Sequence, residues 1–180
     1  MRRYLNFMKS MLYFSTMVYH KYTLPCLFIA AILSLSWPGY SHCQEHIRKL
    51  DAVRASMAKM GSTLPELTRK AQTRDIRTME RVFEINNYSL ATIESYLKMT
   101  KIALTSGTGL NKETLGVLIG WLKFLSNYCA YDIKYMDEAL TQTKDASIIE
   151  ILNTEKKNIS ALIDASQLGI KENTAISDKL

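Results

Sequence analysis

The stretch that decides the fold is residues 111–143, NKETLGVLIGWLKFLSNYCAYDIKYMDEALTQT. Its apolar residues recur at intervals of three and four, the period of an α-helix, and they form two stripes. The first stripe comprises Leu115, Leu118, Leu122, Leu125, Cys129 and Met136. The second stripe is aromatic and comprises Trp121, Phe124, Tyr128, Tyr131 and Tyr135. Two stripes about 100° apart leave little of this helix for water, so we expect it in the middle of a helical bundle.

The rest of the chain repeats the helical period and shows no period-two alternation, which predicts an all-α fold without strands. We expect an antiparallel bundle of long helices over residues 44–60, 63–104, 111–143 and 145–167. The second of these helices is weakest at Asn86-Asn87. A break there would fold residues 88–104 back and give a compact bundle of five helices.

Local signals set the expected helix ends. Gly61 ends the first helix, and the capping box Thr63-Leu64-Pro65-Glu66 starts the second. Asn111 and Asp145 are expected to cap the two helices that follow them.

The N-terminal stretch has the pattern of an export signal. Residues 24–37, LPCLFIAAILSLSW, are 14 uncharged and mostly apolar residues, preceded by basic residues and followed by small ones. This pattern predicts cleavage before His42, with a signal peptide over 1–41, a helical bundle over 42–169 and a polar tail over 170–180. An uncleaved N-terminal anchor is the alternative, although the run is short of the roughly 20 apolar residues that span a membrane. The expected location is the periplasm or cell envelope.

Composition points to a globular domain, and the net charge is misleading. The 180 residues are 47% apolar and 22% charged, with a formal charge of +6. Residues 1–42 hold four of the 23 basic residues and none of the 17 acidic ones. The remaining near-balance gives no reason to expect a nucleic-acid partner.

One charge pattern stands out from this balance. Lys70, Arg74, Arg77 and Arg81 recur at intervals of 4, 3 and 4, which places them on one face of the expected second helix. Such a basic strip could bind an anionic surface. The alternative is a solvated helix face interspersed with Asp75 and Glu80. The strip also lacks the interleaved aromatic residues that stack on bases.

Outside the leader, the chain has two cysteines, Cys43 and Cys129. Export to an oxidising compartment favours one disulfide between them, and two unpaired thiols are the alternative. Counting residues along an antiparallel hairpin places Cys43 level with about residue 82 and Cys129 level with about Asn86. On this register we predict a Cys43–Cys129 disulfide.

Motifs for catalysis and metal binding are missing from the sequence. There is no glycine-rich phosphate loop, no HExxH, no CxxC and no nucleophile elbow. The three histidines, His20, His42 and His46, lie near the N-terminus, and a zinc site needs three or four converging ligands. We therefore expect no metal site, no cofactor and no enzymatic activity.

The runs NKETLGVLIGWLKFLSN and TKDASIIEILNTEKKNISALI, within residues 110–165, resemble the C-terminal half of periplasmic helical proteins of conjugative-transfer (type IV secretion) systems. The resemblance lies in helix length, polarity pattern and the position of the break. It implies a role in a secretion apparatus or pilus without catalysis.

The expected helix lengths leave one end of the bundle uncovered. The first and last helices would cover the same end, so residues 88–121 would form a bare two-helix arm about 25 Å long. Ile102, Val117 and Trp121 are apolar residues that two facing helices cannot bury, and exposed apolar surface of this kind marks a contact. We expect the arm to bind a protein, either another copy or a second envelope protein, with Trp121 as the anchor.

These observations predict an exported, non-enzymatic helical-bundle protein of the cell envelope that acts through protein contacts. The alternative is an exported binding module that uses the basic strip on an anionic surface. Contact with a membrane is expected only through an uncleaved leader.

Overall fold

A computed structural model of the protein describes residues 38–105 and 110–180, with side chains from Glu45 onward. Residues from Cys43 to Leu180 form one compact unit, which contains the bundle from that residue onward. Residues 1–37 of the predicted signal peptide over 1–41 lie outside the described residues, and residues 38–41 belong to the first described helix. Among the helices that are described, none is both long enough and apolar enough to cross a membrane.

The described residues form four long helices and no strand, which confirms the predicted all-α bundle. The helices are α1 (Pro38–Lys70), α2 (Ile76–Thr105), α3 (Lys112–Gln142) and α4 (Ala146–Ser177).

Contacts between residues far apart in the sequence show that the packed helices run antiparallel. Along α1 and α4, His46 meets Glu172 and Ser56 meets Asn158, so one residue number rises as the other falls. Between α2 and α3, Tyr88 stacks near Tyr128, with ring centroids 4.7 Å apart. Polar contacts also join α1 to α2, through His46 and Tyr96, and α3 to α4, through Asp137 and Lys156. The four helices therefore form an up-down-up-down bundle.

The first stripe of α3 is buried, as the sequence predicts. Its core-facing side chains are Leu115, Leu118, Leu122, Leu125, Cys129 and Met136, each at most 2% exposed. The aromatic stripe is different, because Phe124 remains 51% exposed and Tyr131 76% exposed. The expectation that both stripes are buried was wrong, because α3 in a four-helix bundle has two close neighbours and an open outer side.

The first helix does not end at Gly61 but continues to Lys70, so the predicted boundary between the first two helices was wrong. Thr63, expected to start a new helix, lies inside α1 and donates its hydroxyl to the Met60 carbonyl at 2.8 Å. Pro65 is also internal to the helix. The reason is burial: Met60 and Leu64 continue the buried stripe across the local stop signals. Burial by the other helices outweighs the capping box.

The second helix runs without interruption through Asn86-Asn87, so the five-helix alternative was wrong. Asn86 is fully buried, and its side-chain amide donates to Glu155 Oε2 at 3.3 Å. A polar residue that weakens the apolar pattern here binds another helix rather than breaking its own.

The N-caps predicted at Asn111 and Asp145 are both confirmed. Asn111 Oδ1 accepts a hydrogen bond from the Thr114 amide at 2.8 Å. Asp145 Oδ1 accepts from the amides of Ser147 at 2.9 Å and Ile148 at 3.4 Å. Both side chains satisfy amides that the first turn of a helix leaves unpaired.

The last helix continues through Gly169 to Ser177, where the sequence predicted an end near residue 167 and a polar tail. Gly169 is buried, and a Cβ added there would lie 2.7 Å from both His46 Cδ2 and Leu122 Cδ1. This glycine permits close packing of helices and does not mark a helix end.

The extension of α4 also removes most of the predicted bare arm. Tyr96 is 1% exposed, because His46 from α1 and Asn173 from α4 both contact its hydroxyl. The arm was predicted because α1 and α4 were expected to stop short of this level.

Candidate functional site

The predicted partner-binding residues lie at the end of the α2–α3 pair, and two of the three are exposed. Ile102 is 56% exposed and Val117 53% exposed. Trp121 is half-buried and packs against the core, so its predicted role as the anchor stays a prediction.

Ile102 and Val117 border a shallow groove of about 390 Å³, which we call the tip groove. Its lining comprises Met99, Ile102, Ala103, Glu113, Thr114, Val117 and Leu118. The walls are mostly apolar, and Glu113 supplies the one charged side chain among these lining residues. A groove of this composition can accept an apolar side chain from a partner, with a charge at its edge to orient it.

An aromatic cluster lies on the outer side of the same helix pair. Tyr128 stacks on Phe124 of the same helix, with ring centroids 6.2 Å apart, and it also contacts Tyr88 of α2. Tyr88 itself is 44% exposed. The outer side of α2–α3 therefore carries more exposed apolar surface than the tip alone.

The four predicted anion-binding residues do not share one helix face. Lys70 ends α1, Arg74 lies in the turn between α1 and α2, and Arg77 and Arg81 belong to α2. The strip was wrong because its spacing assumed a single helix across residues 70–81. Three of the four already have carboxylate partners, in the ion pairs Lys70–Glu66 at 2.6 Å, Arg74–Asp75 at 3.3 Å and Arg81–Glu84 at 3.1 Å.

Cys129 is a free and fully buried thiol. The Cys43 side chain lies outside the described residues, but its helix fixes its level in the bundle. His46, three residues after Cys43, lies at the level of Leu122, seven residues before Cys129. At 1.5 Å per residue, Cys43 and Cys129 are separated by roughly 15 Å along the bundle. This register does not fit the predicted Cys43–Cys129 disulfide, which needs Cα atoms within about 7 Å.

Sequence reasoning missed two layers of polar side chains inside the bundle. The end layer comprises His46, Tyr96, Glu172 and Asn173. His46 Nδ1 lies 2.5 Å from Glu172 Oε2, and His46 Nε2 lies 2.9 Å from the Tyr96 hydroxyl. Asn173 Nδ2 donates to the same hydroxyl at 3.3 Å. The layer joins α1, α2 and α4, and His46 and Tyr96 are too deeply buried to meet a substrate.

The middle layer comprises Asn86, Asp132, Glu155 and Asn158. Glu155 is fully buried, and its Oε2 accepts from Asn86 at 3.3 Å and from Asn158 at 3.2 Å. Its Oε1 has no hydrogen-bond partner among the described residues. Asp132 is 2% exposed and has Arg81 Nη2 at 3.8 Å from its Oδ1.

Burial dominates the electrostatics of the middle layer. It raises the pKa of Glu155 to about 7, a shift that the two amide hydrogen bonds reduce and the charge of Asp132 increases. It raises the pKa of Asp132 to about 6, with partial compensation from Arg81. Burial also raises the pKa of the Cys129 thiol to about 12, and both carboxylates add to this shift. Such a thiol is a poor nucleophile near neutral pH.

The polar layers contain no assembled metal site. Among the side chains described from Glu45 onward, no three His, Cys, Asp or Glu groups are placed to hold a metal ion. Because the pKa values of Asp132 and Glu155 are raised toward neutrality, their protonation affects the stability of the bundle near neutral pH.

Comparison of the chain with models of known protein families, with curated proteins and with solved structures finds no match.

Proposed function

We propose that the protein is an exported, non-enzymatic helical bundle of the cell envelope that binds another protein through the tip groove. The observation that carries this proposal is the exposure of Ile102 and Val117, each more than half accessible, at the borders of an apolar groove. Exposed apolar surface of this kind is typical of contact sites.

The interior of the bundle supports a scaffold role for the rest of the chain. The end layer and the middle layer tie α1, α2 and α4 together through buried hydrogen bonds. Such networks favour one arrangement of the helices and hold the outer side of α2–α3 in a fixed shape.

The binding test is recovery of partners by the tagged full chain from its native envelope. We expect Ile102→Ser to reduce recovery of a specific partner at least tenfold, because it replaces an exposed apolar contact without disturbing the core. The control is Lys157→Ser, which removes an exposed side chain on α4, away from the α2–α3 pair, and should leave recovery unchanged. Equal recovery by the wild-type chain and Ile102→Ser, with unchanged helical content, would contradict the proposal.

Export has a separate test. The proposed signal peptide predicts a protein that starts at or near His42 when it is recovered from the native envelope. Mass spectrometry of the intact protein measures this directly. A mass that retains residues 24–37 would instead mean an uncleaved anchor.

We further propose a conjugative-transfer or other secretion apparatus as the setting, on the resemblance of residues 110–165. A gene neighbourhood rich in transfer components would support this setting. A neighbourhood of unrelated genes would count against it and leave the proposed binding at the tip groove intact.

A further inference from the structure

The outer side of α3 carries a regular line of exposed residues, which we call the outer seam. It comprises Glu113, Val117, Gly120, Phe124, Asn127, Tyr131 and Lys134, all exposed. Their intervals alternate between four and three residues, which is the heptad spacing of a coiled-coil contact. In this bundle, no described helix covers them.

The centre of the outer seam is apolar. Val117, Phe124 and Tyr131 are 53%, 51% and 76% exposed, respectively, and each is seven residues from the next. At 1.5 Å per residue they lie about 10 Å apart along one line. A line of large apolar groups at heptad spacing suits another helix as its partner.

The outer seam is also nearly symmetric about Phe124. Val117 lies seven residues before it and Tyr131 seven residues after it. When two copies of α3 are placed antiparallel with a two-fold axis at Phe124, Phe124 meets its own counterpart. Val117 of each copy then meets Tyr131 of the other. A two-fold contact requires this kind of self-complementary surface.

The charges at the two ends of the outer seam select the antiparallel orientation. Glu113 lies eleven residues before Phe124 and Lys134 ten residues after it, so each faces the other across the two-fold axis with an axial offset of about 1.5 Å. Neither has an ion-pair partner among the described residues. A parallel pairing would instead place like charges together at both ends.

Gly120 gives the second copy room to approach. A Cβ added at Gly120 would meet nothing within 4 Å, so the surface is open there. Under the two-fold pairing, Gly120 faces Asn127 of the other copy. Without a side chain, the backbone of α3 can come close to the opposing helix.

We propose that a second copy of this chain packs antiparallel on the outer seam and forms a two-fold homodimer. This goes beyond the proposed function, because the dimer contact is centred on Phe124, which does not line the tip groove. The two surfaces share only the region around Val117. The seam spans residues 113–134, or roughly 32 Å of helix. A contact one helix wide is at the small end of specific interfaces, so the dimer dissociates on dilution.

Sedimentation equilibrium of the full chain tests the dimer and its orientation together. Glu113→Lys and Lys134→Glu each place like charges at both ends of the contact, and each should weaken dimerisation at least tenfold. An equimolar mixture of these two variants restores opposite charges at both ends, so it should form a heterodimer at wild-type strength. Ile102→Ser, outside the seam, should dimerise normally, and Phe124→Ser should not.

Disulfide cross-linking gives a second measurement, which reports the geometry of the contact. In a background with Cys26 and Cys43 replaced by Ser, a mixture of Gly120→Cys and Asn127→Cys chains should form a disulfide between copies on mild oxidation, because the two positions face each other and Phe124 is kept. Tyr131→Cys should not, because the two copies of that position are about 21 Å apart. The buried Cys129 thiol is common to all variants.

Either of two outcomes would overturn the dimer: a chain that is monomeric at every concentration, or a dimer that is indifferent to the charge reversals and to Phe124→Ser. A monomeric chain whose partner binding is lost on Ile102→Ser would contradict the dimer and leave the proposed function in place. A dimeric chain that binds no other protein would contradict the proposed function and leave the dimer in place.

Discussion

Glu155 is a carboxylic acid at a position that the helical period assigns to the core. It follows Leu152 by three residues and precedes Ile159 by four, and all three are fully buried. One carboxylate oxygen accepts hydrogen bonds from two amides, and the other has no partner among the described residues. A carboxylate in this position loses its hydration, so the folded protein favours the protonated form.

This burial predicts that acidification stabilises the fold. The folded-state pKa of Glu155, about 7, lies above its ordinary value of 4.5, so its stabilising contribution is complete below 4.5 and lost as the pH rises through 7. The difference is on the order of 3 kcal/mol in the free energy of unfolding. Urea denaturation of the full chain at pH 5 and pH 8 measures it. Asp132, with a pKa raised to about 6, adds a change of the same sign.

The control for this prediction is Glu155→Gln, which cannot ionise and can still accept from Asn86 and Asn158. We expect it to lose much of the stability difference between pH 5 and pH 8. If the variant keeps the whole difference, the titrating group is not Glu155.

The residues of the middle layer could be recognised in the sequence by their positions. Asn86, Asp132 and Glu155 each interrupt a buried stripe at a core-facing interval. The sequence could not show which residue each of them would bind. Asn86 and Glu155 are 69 residues apart, and their contact depends on where the intervening helices begin and end. Polar residues at core positions are a reason to expect buried hydrogen bonds.

Among the secondary-structure elements, α1 and α4 show how burial overrides local stop signals. Gly61 and Gly169 were both expected to lie at helix ends, and both lie inside helices. The buried residues Met57, Met60 and Leu64 keep intervals of three and four across the predicted first boundary. A continuous stripe was therefore the better guide. The caps at Asn111 and Asp145 were predicted correctly because no buried stripe continues across them.

The close approach at Gly169 predicts a cost for any side chain there. Gly169→Ala places a methyl group 2.7 Å from His46 Cδ2 and Leu122 Cδ1, so the His46 ring and the Leu122 side chain must shift within a packed core. We expect a loss of about 1–3 kcal/mol in the free energy of unfolding, measured by urea denaturation.

Gly116→Ala is the matched control within a helix, because its added methyl group would meet nothing within 4 Å. It should be neutral or stabilise by up to about 1 kcal/mol through helix propensity. Equal effects at the two glycines would mean that α4 does not pack on α1 and α3 as closely as described.

For the whole molecule, the apolar stripes predicted the all-α class and the antiparallel order of the helices. The sequence could not predict how far each helix extends, and this decides which surface is left open. The extra turns of α4 cover Tyr96, so the bare arm reduces to Ile102 and Val117 at the tip. The exposed aromatic seam was missed because a hydrophobic stripe on a long helix was assumed to face the core.

If the protein works through the outer side of α2–α3, site-specific photocross-linking in the native envelope should capture its partner there. A photoreactive residue replacing Val117, where the tip groove meets the outer seam, is predicted to give covalent adducts with a protein of defined mass. The same residue replacing Lys157, exposed on α4, is the control and should give none. Adducts from Lys157 but not from Val117, or none from either in a folded chain, would contradict the account.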